Sequence, residues 1–120
     1  MKILSVRQAR VGDLIKETIA VLILRKVKDP RVEGVTITGV DVSIDLKNAR
    51  IFFCVFDSSR KDGALDGLKS ATGFLRRELK KGLSLRAVPS LFFSYDESFD
   101  YGSKIDEILE TIGKHDSQDS

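Results

Sequence analysis

Leu65-Asp66-Gly67-Leu68-Lys69-Ser70-Ala71-Thr72-Gly73-Phe74-Leu75-Arg76-Arg77-Glu78-Leu79-Lys80-Lys81-Gly82-Leu83-Ser84-Leu85-Arg86 is the stretch that decides how the chain is read. At 100° per residue, Leu68, Leu75, Leu79 and Leu83 form one apolar stripe, the mark of a helix that packs on one side. Lys69, Arg76, Arg77, Lys80 and Lys81 fill an arc of roughly 140° on the far side. Gly73 falls in the middle of that basic arc. Glycine inside a helix costs about 1 kcal/mol against alanine and leaves the main chain uncovered. The pattern therefore predicts a long helix broken near Ala71-Thr72-Gly73. A helix restarting there would present unpaired N–H groups to phosphate oxygens, with cations around them. The plainer alternative is a solvated charged face whose glycine serves only tight packing against a sheet. Five cations with one acid (Glu78) among them favour a polyanion.

Outward from this stretch, the N-terminal side reads as a helix and a hairpin. Val11, Leu14, Ile15, Thr18, Ile19, Leu22 and Ile23 recur at three- and four-residue spacing, and Asp29-Pro30 ends that helix. Val35–Thr38 and Val40–Asp45 alternate as strand residues do, but the apolar parity flips between Ile37 and Val40. One extra residue restores the facing, which predicts a β-bulge near Gly39. After a turn at Leu46-Lys47-Asn48, Arg50 to Asp57 is apolar on both faces and so is expected to be at least partly covered on both. The short turn makes these strands an antiparallel hairpin. Of the phenylalanines, Phe52, Phe53, Phe56, Phe92 and Phe93 fall in strand patterns and are assigned to the core. Ser58 or Ser59 is expected to cap the long helix.

The C-terminal side starts at the break Arg86-Ala87-Val88-Pro89. Leu91, Phe93 and Tyr95 then alternate as a third strand, and Tyr101–Ile112 carries a last helical stripe. The polar tail 114–120 has no apolar residue and is expected to be disordered. The element order predicts an α+β fold of two layers, helices on one small sheet, in a single domain over 1–113.

Composition narrows the function. The 120 residues are 42% hydrophobic and 32% charged, with one cysteine and one histidine. No disulfide framework is possible, and the chain reads as a cytoplasmic protein with no membrane segment. The net charge of +2 hides an asymmetry: residues 1–89 hold 18 Lys and Arg against 10 Asp and Glu, whereas 90–120 hold 2 against 8. A basic body with an acidic end suits one face for a polyanion. Catalysis lacks its equipment. His115 lies in the tail, Cys54 sits mid-strand, and no Gly-x-x-x-x-Gly-Lys phosphate loop is present. We expect no enzyme activity, metal, cofactor or small-molecule substrate.

Arg10-Val11, Lys28-Asp29-Pro30-Arg31, Ser70-Ala71-Thr72-Gly73-Phe74-Leu75-Arg76, Arg86-x-x-Pro89, Tyr95-Asp96-x-Ser98 and Ile105-Asp106 occur in that order. This series resembles the ribosome-binding factor A family from about Arg7 to Ile112. The resemblance implies a bacterial-type, K-homology-like fold, α-β-β-α-kink-α-β plus a C-terminal helix, with an Ala-x-Gly kink in place of a Gly-x-x-Gly loop. It implies a cytoplasmic assembly factor that binds the free or immature 30S small subunit and its 16S RNA. It further implies help with maturation of the 5′ end of that RNA, with special importance in the cold. Ala71 and Gly73 match the family's kink and Arg76 the arginine after it. Lys69, Arg77, Lys80 and Lys81 join the RNA-binding set by the helical projection alone. The protein is expected to act as a monomer. The rival reading is a small adaptor whose basic face meets an acidic protein.

Overall fold

The computed structural model describes residues 5–83 and 87–98. They form α1 (Val6–Arg25), β1 (Thr36–Val42), β2 (Asn48–Cys54), α2 (Lys61–Gly82) and β3 (Ser90–Tyr95), with short 3-10 turns at Pro30–Val32 and Ser58–Arg60. The last helix expected at Tyr101–Ile112 and the polar tail lie outside the described residues.

The α1 helix starts where its sequence can satisfy free main-chain donors. Ser5 accepts from the Gln8 N–H, and the Gln8 side chain accepts from the Ser5 N–H, both at 3.0 Å. The amide Nε2 of Gln8 then donates to the Val42 carbonyl at 2.9 Å, tying the start of α1 to the end of β1. Val11, Ile15, Ile19, Leu22 and Ile23 are buried as expected, but Leu14 is 40% exposed. The helix ends at Arg25, earlier than the expected stop at Asp29-Pro30. Those two residues instead open the first 3-10 turn, where Asp29 accepts from the Arg31 N–H.

The three strands run in the order β1-β2-β3. The β1–β2 pair is antiparallel, and its register shifts between Ile37 and Gly39, which is the expected bulge. The extra residue is Thr38, whose hydroxyl donates to Asp96 just beyond β3 at 2.6 Å. β2 and β3 are parallel. Parallel strands need a long crossover, and α2 supplies it. Central placement explains why Ile51, Phe53 and Cys54 of β2 are fully buried. The ring of Phe53 meets Tyr95 edge-on, with centroids 5.5 Å apart.

Coverage of both faces holds only in part. Phe52 is half-buried, while Phe56 beyond the strand and Phe92 on β3 are 71% and 53% exposed. On the face opposite Ile51 and Phe53, Cys54 is fully buried and Phe52 half-buried, so β2 is covered in part on both faces. Phe56 and Phe92, each more than half exposed, are corrected from core to surface.

The α2 helix departs from expectation at both its start and its middle. The cap is neither Ser58 nor Ser59: Asp57 accepts from the Ser59 N–H and hydroxyl, and its 3-10 turn feeds directly into α2. The helix then runs unbroken from Lys61 to Gly82, without the interruption expected at Ala71-Thr72-Gly73. Leu68, Leu75 and Leu79 are all fully buried along one stripe, so packing holds the helix in phase across Gly73. The Thr72 hydroxyl donates back to the Leu68 carbonyl at 3.1 Å, a contact that bends a helix slightly without ending it.

The glycine that packing does require is Gly67. A Cβ there would lie 2.8 Å from Val32 Cγ1 and 3.0 Å from Arg31 Cβ, so the bare α2 main chain packs directly on side chains of the first 3-10 turn. Gly67→Ala is expected to destabilise the fold by about 1–3 kcal/mol through overpacking. A urea denaturation midpoint measures it, and an unchanged midpoint refutes the close crossing.

Candidate nucleic-acid interface

With the leucine stripe of α2 turned inward, geometry places the other side of the helix in solvent. Lys69, Gly73, Arg76, Arg77, Lys80 and Lys81 are all exposed. Ala71 is not brought to this face. It is half-buried and packs against the core, because two residues along a helix turn the side chain far round the axis.

Two of the cations have partners. Arg76 donates from Nε to the Pro89 carbonyl at 3.2 Å and from Nη2 to the Val88 carbonyl at 3.1 Å. It therefore fastens the segment entering β3 to α2. Lys81, itself exposed, lies 3.9 Å from the partly buried Glu78, a contact at the limit of an ion pair and worth little. Arg77 runs past Gly73, where a Cβ would meet nothing nearer than Arg77 Nη1 at 3.5 Å. Space is therefore not what calls for a glycine at position 73.

Between this face and the segment Ala87-Val88 lies an open groove of about 520 Å³, walled on the helix side by Gly73, Arg76, Arg77 and Lys80. Ala87 and Val88 were not in the expected set. The only sequence signal for them was their place before Pro89, since what brings them to α2 is the Arg76 contact.

Other chemistry is poorly served among the described residues. Burial pushes the Cys54 thiol above its ordinary range, with the Asp96 charge adding to the effect, so the thiolate is disfavoured. No group of three or more His, Cys, Asp or Glu side chains is placed to hold a metal. No helix among the described residues is long and apolar enough to cross a membrane. The acids with depressed pKa values serve turns: Arg31 holds Asp29 low and Ser59 holds Asp57 low, each chiefly by a side-chain hydrogen bond.

The geometry defines a small two-layer α+β domain that offers a cationic helix face beside an open groove. Comparison with known proteins fits that class. The family model described as ribosome-binding factor A matches residues 7–109, and the chain belongs to that family. It is similar to the ribosome-binding factor A of Syntrophus aciditrophicus, 48% identical over 114 residues that cover 94% of this chain and 93% of the relative. Among solved structures, the crystal structure of ribosome-binding factor A from Thermus thermophilus superposes with a TM-score of 0.68. That match has 26% identity and covers 73% of this chain and 93% of the other. A homology model of Thermus thermophilus ribosome binding factor A, as fitted into a cryo-electron-microscopy map of a complex with the 30S particle, matches with a TM-score of 0.65. Identity there is 25%, and the match covers 77% of this chain and 98% of the other.

Proposed function

We propose that this protein is a non-catalytic ribosome assembly factor. It binds the free or immature 30S subunit as a cytoplasmic monomer, through 16S RNA, and assists maturation of the RNA's 5′ end. The observation that carries this reading is the exposed cation set of α2 around Gly73, beside an open groove of about 520 Å³. The homology model of a family relative fitted into the map of a complex with the 30S particle supports the choice of partner.

The grip works through side chains. Because α2 is continuous, the amides near Gly73 are engaged within the helix and are not free to hold phosphate as a broken helix would leave them. Lys69, Arg77, Lys80 and Lys81 supply the salt-sensitive, sequence-independent attraction. Arg76 keeps the groove wall in place and lines the groove itself. Gly73 lets a sugar–phosphate strand come close to the helix axis between the cations.

Sedimentation of a cell extract tests the partner: the protein should travel with free small subunits and not with complete ribosomes. Migration with complete ribosomes, or with neither, overturns the reading. Gly73→Ala tests the role of the bare backbone. It should stabilise the fold by about 1 kcal/mol, since an exposed helical glycine is replaced without a clash, yet weaken RNA binding. A stabilised variant with undiminished affinity removes Gly73 from the interface.

A further inference from the structure

We propose that the RNA path does not stop at α2. It crosses Ala87-Val88 into a second groove, where Arg7, Lys47 and Ile44 hold the next part of the same single strand. This rests on the proposed function and adds a second contact region to it.

The second groove has a volume of about 410 Å³ and lies between α1, the β1–β2 turn and the segment 87–89. Ala87 and Val88 line both grooves, so the two are adjacent across one short wall. A strand leaving the α2 cations over that wall meets Arg7 on one side and Lys47 on the other, both exposed.

Arg7 stands where a helix by itself does not favour a cation. It lies in the first turn of α1, at the positive end of the helix dipole, and no acidic residue accompanies it there. Gln8, the capping-box partner of the N-cap Ser5, cannot be exchanged for glutamate without loss, because its Nε2 donates to the Val42 carbonyl. An anion in the groove converts this unfavourable placement into a favourable one, with Arg7 and the helix end acting together.

The turn opposite is held still. Leu46 N–H donates to the Ser43 carbonyl and Ser90 N–H to the Lys47 carbonyl, both at 2.9 Å. Leu46 itself sits at φ 61°, a left-handed conformation that costs a branched residue energy. Asp45, the one carboxylate among the described residues that line the groove, accepts from both the Ser43 hydroxyl and the Lys47 N–H at Oδ1, which ties that oxygen into the turn. Next to it Ile44 is 87% exposed, a bare aliphatic side chain on a fixed support. An aliphatic surface between two cations suits a nucleotide, with the base or ribose against Ile44 and phosphates on Arg7 and Lys47.

The chain contains no tryptophan, so a single one reports cleanly. With a single-stranded oligonucleotide copied from small-subunit RNA, emission of an Ile44→Trp variant should be quenched on saturation. A Leu24→Trp variant, similarly exposed but on the far half of α1, should keep its emission. In the wild-type background, the double variant Arg7→Gln/Lys47→Gln should lower the slope of log affinity against log salt by about 1.4, or about 0.7 per lost contact. Charge reversal on α2 is measured in parallel. An unquenched Ile44→Trp reporter with an unchanged double-variant slope, while α2 reversal still weakens binding, overturns this inference and leaves the proposed function standing. If α2 reversal also has no effect, both fall.

Discussion

Reversing Arg77, Lys80 and Lys81 to glutamate together is expected to cut affinity for small-subunit RNA about a hundredfold or more at about 0.1 M salt. The magnitude follows from counterion release: each phosphate contact contributes about 0.7–0.9 to the slope of log affinity against log salt. Three lost contacts remove about 2 or more from that slope, and the curves of variant and parent converge toward about 1 M. Arg76 is left out on purpose. Its guanidinium holds the Val88 and Pro89 carbonyls, so its loss would mix a disturbed groove with a lost charge. The three chosen side chains are solvent-exposed, and surface substitutions of this kind usually change stability by about 0.5 kcal/mol or less. A melting temperature near that of the parent therefore accompanies the expected loss. Equal affinity and equal slope in the triple variant would show that the α2 face is merely solvated.

Phe53→Ala is the substitution expected to damage the fold most, by about 3–5 kcal/mol. The side chain has no exposed surface and lies in the central strand, with Ile37 paired on one side and Tyr95 on the other. Removing the ring leaves a cavity that both helices and two neighbouring strands would have to close, and it deletes the edge-on contact to Tyr95. Domains of this kind have about 5–15 kcal/mol in total, so a large share of the stability goes. Phe92→Ala, one strand away but with about half its surface exposed, is expected to cost under about 1 kcal/mol. Denaturant midpoints of the two variants give the comparison. Similar losses at both positions would mean that the helices do not cover the face assigned to them.

Much of this architecture was legible in residue order. The parity flip between Ile37 and Val40 located the bulge, because a two-residue repeat cannot change faces without an extra residue. The leucine and cation stripes placed the exposed face of α2. Direction and depth were less accessible. An alternating strand looks the same whether its neighbour runs parallel or antiparallel, so the β2–β3 pairing needed coordinates. Gly67 and Gly73 are alike in sequence, both inside a helical pattern. Only packing distinguishes the one pressed against Val32 from the one facing solvent. The expected helix break had contrary evidence in the same stretch: Leu68, Leu75 and Leu79 keep a single helical phase through Gly73, which a true restart would disturb. Sequence alone offers Arg76 as one more cation of the α2 face, because a main-chain partner twelve or thirteen residues away leaves no local trace.

The bulge has one more result. β1 is an edge of the sheet, and at Thr38 its run of main-chain donors and acceptors is interrupted, with the hydroxyl drawn back toward Asp96. A strand from another molecule therefore finds no continuous ladder to extend along that margin. Such an edge guards against templated aggregation when many copies crowd together.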